Sequence, residues 1–100
     1  MEIKKELSGT QMIFHLPERL DTGCAGELEK ILKETPTGVA DELIFDMTDT
    51  VYISSLGLRV MMVTASSMKK EQKRFLLRNV DDYCRTILRT MGLIDMFVIE

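Results

Sequence analysis

Histidine occurs once in this chain of 100 residues, at position 15, and cysteine twice, at Cys24 and Cys84. The cysteines are far apart, and no CxxC or other metal-ligand spacing exists. That excludes a zinc site or a disulfide framework, and buried reduced thiols are expected instead. A long apolar run is also missing. The longest stretch is interrupted by Arg59 and polar residues, short of the ~20 apolar residues a membrane-spanning helix needs. The N-terminal MEIKKELSGTQ carries charges and lacks the apolar core of a signal peptide. A cytoplasmic protein with no membrane insertion is therefore expected. There is no GxxxxGK[ST] phosphate loop. Linkers, low-complexity tracts and internal repeats are lacking too.

An excess of base is the last absence. The net charge is -3. Residues 1–50 hold 11 acids and 5 bases, for -6, and residues 51–100 hold 5 acids and 8 bases, for +3. A nucleic-acid binder would carry a strong basic stripe, so direct nucleic-acid binding is not expected. The asymmetry reads as two solvated faces of opposite sign or as a charged docking patch. What is present is ordinary for one globular domain over residues 1–100: 45% apolar and 29% charged residues.

The residues alternate between two periods. Residues 2–7 and 11–16 read as short strands joined by Ser8-Gly9-Thr10, a hairpin turn, with Pro17 ending the second. Asp21 or Thr22 can cap a helix carrying Ala25, Leu28, Ile31 and Leu32 at helical spacing, stopped by Pro36 and Gly38. Glu42 to Met47 reads as a buried strand, Thr48-Asp49-Thr50 as a loop, and Val51 to Ile53 favour extended structure. From Ser55 to Lys70 the period is helical, with Leu58, Met61, Met62, Ala65 and Met68 on one face. These methionines suit a core, and methionine also suits adaptable partner surfaces. Phe75 to Leu77 form a strand. Asn79 or Asp81 caps a third helix containing Tyr83, Ile87, Leu88 and Met91, with Gly92 closing it. Met96 to Ile99 make a last strand. The order β-β-α-β-α-β-α-β predicts an α/β fold. Its central sheet is mostly parallel, with an N-terminal antiparallel hairpin and about three helices packed on it.

The seam of VYISSLGLRVMMVTAS carries the most information. Ser54 and Ser55 stand where a strand meets a helix start, whose first N–H groups have no internal partner. A serine there can cap the helix. The same position also tolerates a phosphate, because exposed N–H groups and the positive end of the dipole stabilise an anion. Gly57 costs stability early in a helix, which indicates close approach of another element or of a partner. Arg59, one turn after Ser55, is a solvated charge or a contact for a phosphate or an acidic partner.

LIFDMTDTVYISSLGLRVMM resembles the core of a STAS domain, the fold of bacterial anti-sigma factor antagonists. A buried strand ends in Asp46, and Ser-Ser-x-Gly-Leu opens a helix. RLDTGCAGELEKIL and RTILRTMGLIDMF resemble the family's first helix and closing segment, so the similarity runs from about residue 2 to 99. The resemblance implies a phosphorylation-switched binding module and no enzyme. Its partners would be an anti-sigma factor serine kinase, which uses the ATP, and a resetting serine phosphatase. The unphosphorylated form would bind the kinase and release the sigma factor. The phosphorylated residue would be Ser55, with Ser54 as fallback. Asp21, Thr22, Asp46, Asp49, Ser54, Leu56, Gly57 and Arg59 would form the surroundings and the partner footprint. Ser54 stands where one common form of the motif has aspartate, and Leu56 where it has a second serine. The alternative is a non-switching STAS scaffold in a signalling or transporter-associated assembly. No cofactor, metal site or catalytic residue is expected. A Ser55-His15-Asp21 triad has no support in the spacing. Asp46 is expected to bond nearby loop N–H groups rather than serve as an aspartyl-phosphate site.

Overall fold

The computed structural model describes residues 3–35 and 40–100. Pro36 and Gly38, the expected stop of the first helix, and residue 2 of the first strand lie outside them. Strands β1 (Lys4–Ser8) and β2 (Gln11–His15) form the hairpin, and β3 (Arg19–Leu20) leads into α1 (Thr22–Glu34). Then follow β4 (Glu42–Asp46), β5 (Tyr52–Ile53), α2 (Ser55–Lys70), β6 (Arg74–Arg78) and α3 (Asp82–Thr90). A single 3-10 turn (Ile94–Met96) precedes β7 (Val98–Ile99).

The main sheet has the order β1-β2-β4-β6-β7. β1 is antiparallel to β2 and every other neighbour is parallel, as the alternation of strands and helices predicts. Two short strands differ from the expectation. β3 was not foreseen, and Val51 to Ile53 yield a separate two-residue strand, Tyr52–Ile53. These two pair with each other, in parallel and outside the main sheet. The last strand begins later than Met96, because Ile94–Met96 close a 3-10 turn first.

Alternation along the strands separates two faces. Met12 and Phe14, Leu43 and Phe45, and Phe75 and Leu77 point to one side and join the main core with Leu28, Met61 and Leu88 of the three helices. Four phenylalanines run through that core edge-to-face, Phe14–Phe45, Phe45–Phe75 and Phe75–Phe97, at 6.0, 4.8 and 6.2 Å between ring centres. Such pairs add about 0.5–1.5 kcal/mol each beyond burial. The opposite face holds a separate buried cluster of strand residues alone, Ile13, Ile44 and Leu76.

Polar rows flank this second cluster. In one row Gln11 Nε2 donates to Glu42 Oε1 at 2.7 Å, and the Arg74 guanidinium meets Glu42 Oε2 at 3.0 Å. These contacts satisfy a glutamate only 8% exposed.

Helix ends follow local chemistry. α3 stops in a Schellman motif: the Leu93 amide donates to Leu88 O at 2.8 Å and the Gly92 amide to Arg89 O at 3.0 Å, with Gly92 at φ +73°. Gly92 thus closes α3 as expected. α2 ends the same way through Lys73 and Gln72, the latter at φ +58° without being glycine. Tyr83 and Met91, read as part of the apolar pattern of α3, are exposed; its buried residues are Cys84 and Leu88.

Candidate functional site

All three helices start alike. An Asp or Ser in extended conformation accepts a hydrogen bond from the amide three residues on. Asp21 accepts from Cys24 at 3.0 Å, Ser54 from Gly57 at 3.1 Å and Asp81 from Cys84 at 2.7 Å. Asp21 is therefore the cap of α1, and Thr22 is its exposed first residue. Asp81 caps α3. Asn79 instead takes φ +59° and donates to Thr48 Oγ1 at 2.9 Å.

The two-strand ladder sets the first two helix starts side by side. Arg19 pairs with Tyr52 and Leu20 with Ile53. The Ser54 amide continues the ladder, donating to Leu20 O at 2.9 Å, and the Val51 amide donates to Glu18 O at 2.8 Å. The register thus places Asp21 beside Ser54, and each caps the helix that follows it. The Arg19 guanidinium lies 4.4 Å over the Tyr52 ring. This pair was not read from the sequence, because two-residue strands carry no periodic pattern.

The two serines are thereby separated. Ser54 is 7% exposed and its hydroxyl is occupied as a cap. Ser55 is the exposed first residue of α2. Leu56 is half-buried and packs against the core. Arg59 is exposed, one turn on from Ser55. Gly57 is buried. A Cβ there would meet Ile53 Cγ2 at 3.0 Å and Leu20 Cδ2 and Cγ at 3.1 Å. Of the two close approaches this glycine could serve, the one seen is to the ladder strands of the chain itself.

Asp46 belongs to a second cluster. Burial pushes its carboxyl up. Hydrogen bonds from the Thr48 hydroxyl and amide outweigh that and, with Asn79 and the His15 ring, hold it below the ordinary value of 3.8. Bonding to a loop N–H is the role expected of it. His15 Nδ1 lies 3.2 Å from Asp46 Oδ2 and His15 Nε2 2.9 Å from Glu6 Oε1. His15 is thus engaged by Glu6 and Asp46, and a Ser55-His15-Asp21 triad is not assembled. Asp49 is exposed in the following loop. That loop is tied down by Thr50 Oγ1 donating to Pro17 O at 2.8 Å and Cys84 Sγ donating to Thr50 O at 3.7 Å.

The remaining shifts are local. The Cys24 amide, and then the Cys24 side chain, hold the Asp21 carboxyl low, with Arg19 adding to the effect. Burial, then Asp21, pushes the half-buried Cys24 thiol up. Burial, then Asp81, raises the buried Cys84 thiol to about 12. Among the described residues no group of three or more His, Cys, Asp or Glu is arranged to hold a metal ion. Among the described residues no helix is long and apolar enough to cross a membrane. Two grooves of ≈ 330 and ≈ 290 Å³ lie along α2, one against α1 and one against β6 and β7. Neither is lined by Ser54, Ser55, Asp21 or Asp46.

The STAS domain family model matches residues 2–100. The chain belongs to the STAS domain family. A search among curated proteins finds no match. Solved STAS-like structures share the fold. The anti-sigma factor antagonist SpoIIAA, in its unphosphorylated form, is 13% identical at a TM-score of 0.83, with 99% of this chain and 88% of that one covered. An anti-sigma factor antagonist from Mycobacterium paratuberculosis is 15% identical at 0.79, covering 98% and 83%. A sulfate transporter family protein from Wolinella succinogenes is 21% identical at 0.76, covering 95% and 80%. At these identities the likeness is one of fold.

Proposed function

We propose that this STAS domain is an anti-sigma factor antagonist, a binding module switched by phosphorylation of Ser55. The observation that carries the reading is the contrast at the seam, where Ser54 is buried as a cap and Ser55 is exposed beside it. A hydroxyl that caps a helix from a buried position is a poor phosphoacceptor. An exposed hydroxyl on the first helical residue can be modified without disturbing the core. The added charge of about -1.5 to -2 sits at the positive end of the helix dipole, where it is tolerated. In the unphosphorylated state the module binds a serine kinase that doubles as an anti-sigma factor, and the sigma factor is released. Phosphorylation places charge in the docking footprint and ends that binding, and a serine phosphatase restores it. The footprint comprises Ser55, Arg59, Thr22 and the exposed loop at Asp49. Support in kind comes from SpoIIAA, which shares the fold and has been solved in both unphosphorylated and phosphorylated forms.

The test is intact mass with peptide mapping of the protein from growing and stressed cells of its host. A gain of ~80 Da on Ser55 that changes with condition, and is lost in Ser55→Ala, is expected. Phosphate on Ser54 overturns the assignment to Ser55, and none in any condition overturns the switch. The fold likeness to a sulfate transporter family protein favours a scaffold in a transporter-associated assembly as the second reading. Constitutively unmodified protein would support it.

A further inference from the structure

His15 stands between two carboxylates. Its Nε2 is 2.9 Å from Glu6 Oε1 on β1, and its Nδ1 is 3.2 Å from Asp46 Oδ2 on β4. A carboxylate can only accept a hydrogen bond, and a neutral imidazole has one N–H to give. Both contacts are hydrogen bonds only while the ring carries two protons. A ring that has lost one of its two protons can keep only one of the two contacts as a hydrogen bond.

The surroundings decide which one. The Asp46 side chain is 15% exposed and that of Glu6 56%. Asp46 Oδ1 is occupied by Thr48 and Asn79, while Oδ2 faces the His15 ring. Withdrawing the ring's proton from a mostly buried acceptor costs more than releasing an exposed one to water. The last proton therefore stays on Nδ1, toward Asp46. The Nε2 lone pair then faces Glu6, which turns away.

We propose that Glu6, His15 and Asp46 form a proton-operated latch on edge strand β1. It is closed while His15 is charged and open at Glu6 when the ring is neutral. The other charges in the cluster are Lys4, the register partner of His15 on β1, and Arg78, the register partner of Asp46 on β6. Arg78 Nε donates to Glu100 Oε1 at 3.2 Å. The imidazole is the group of this cluster that can carry either one ring proton or two. β1 is the element to respond. It is an edge strand with all five residues exposed, joined to β2 by the backbone ladder and by this contact. A loosened edge strand offers unpaired backbone groups to other chains.

Hydrogen exchange on the full chain at pH 5.5 and pH 8, corrected for intrinsic rates, tests the latch. Protection of the β1–β2 amides should be about threefold lower at pH 8, the scale of one half-exposed ion pair, with β4 amides unchanged. His15→Gln and the exposed Glu6→Gln should each abolish the difference. Imidazole 15N spectra of the unmodified protein should show the neutral ring protonated on Nδ1. Equal protection at both pH values, a difference that survives in Glu6→Gln, or a neutral ring protonated on Nε2 would each overturn the latch.

Discussion

The Ser54 hydroxyl accepts a hydrogen bond from the Gly57 amide at 3.1 Å, and both residues are buried beneath the start of α2. The exposed Ser55 between them takes no part in that bond. Cap, spacer and tight contact are thus three separate jobs in four consecutive residues. Ser54→Ala should cost about 1 kcal/mol as a lost N-cap, a fall in Tm of about 4–8 °C for a domain of this size. Ser55→Ala should stay within about 0.5 kcal/mol, as surface changes do. Thermal unfolding of the two variants side by side checks this, and equal losses would refute the division of labour.

Gly57→Ala puts a methyl 3.0–3.1 Å from Ile53 and Leu20. Leu20 is fully buried and cannot retreat. Overpacking of this kind costs about 1–3 kcal/mol, against a gain of at most ~1 kcal/mol in helix propensity. A net loss near ~1–2 kcal/mol is expected. In a Leu20→Ala background, where only the Ile53 contact remains, the same substitution should cost less than in the parent. Additive losses in a denaturant double-mutant cycle would place the strain elsewhere.

Asp46 links stability to acid. Its carboxyl titrates below the ordinary 3.8 in the folded chain, so the folded state favours the ionised form. Its contribution is complete above about pH 4–5 and is lost as pH falls through the depressed value. Asp46→Asn should therefore be less stable than the parent at pH 5, by about 1–2 kcal/mol. The two should converge as pH falls through the depressed value. Chemical denaturation across this range measures the gap, and a gap that stays constant would show that the charge contributes nothing.

The Cys84 thiol, raised to about 12 and buried under α3, should resist alkylation at pH 8 in the native protein. Its labelling by iodoacetamide should track global unfolding with added urea. Fast labelling without denaturant would mean that α3 opens locally.

Much of this was legible from local chemistry. The limits of α2, the cap of α1 at Asp21 or Thr22, the closing glycine at Gly92 and the hairpin turn at Gly9 each depend on residues within a few positions of one another. What stayed hidden depends on pairs distant in sequence. Glycine in place of a better helix former at position 57 indicated a close neighbour, and only the fold identifies Leu20 and Ile53. His15 looked like an ordinary strand residue until β1 and β4 brought Glu6 and Asp46 to either side of it. Strands of two residues, such as Arg19–Leu20, are too short to show a period at all.

The β3–β5 ladder also bears on folding order. Leu20 and Ile53 pair across α1 and β4, which lie between them in sequence. Closing that loop costs chain entropy that only the surrounding long-range contacts repay. The splint fixes both helix starts, so neither Asp21 nor Ser54 gains its final surroundings alone. Ser55 therefore holds its native position only in a chain whose distant segments have met, so its exposed place at the start of α2 reports a completed domain.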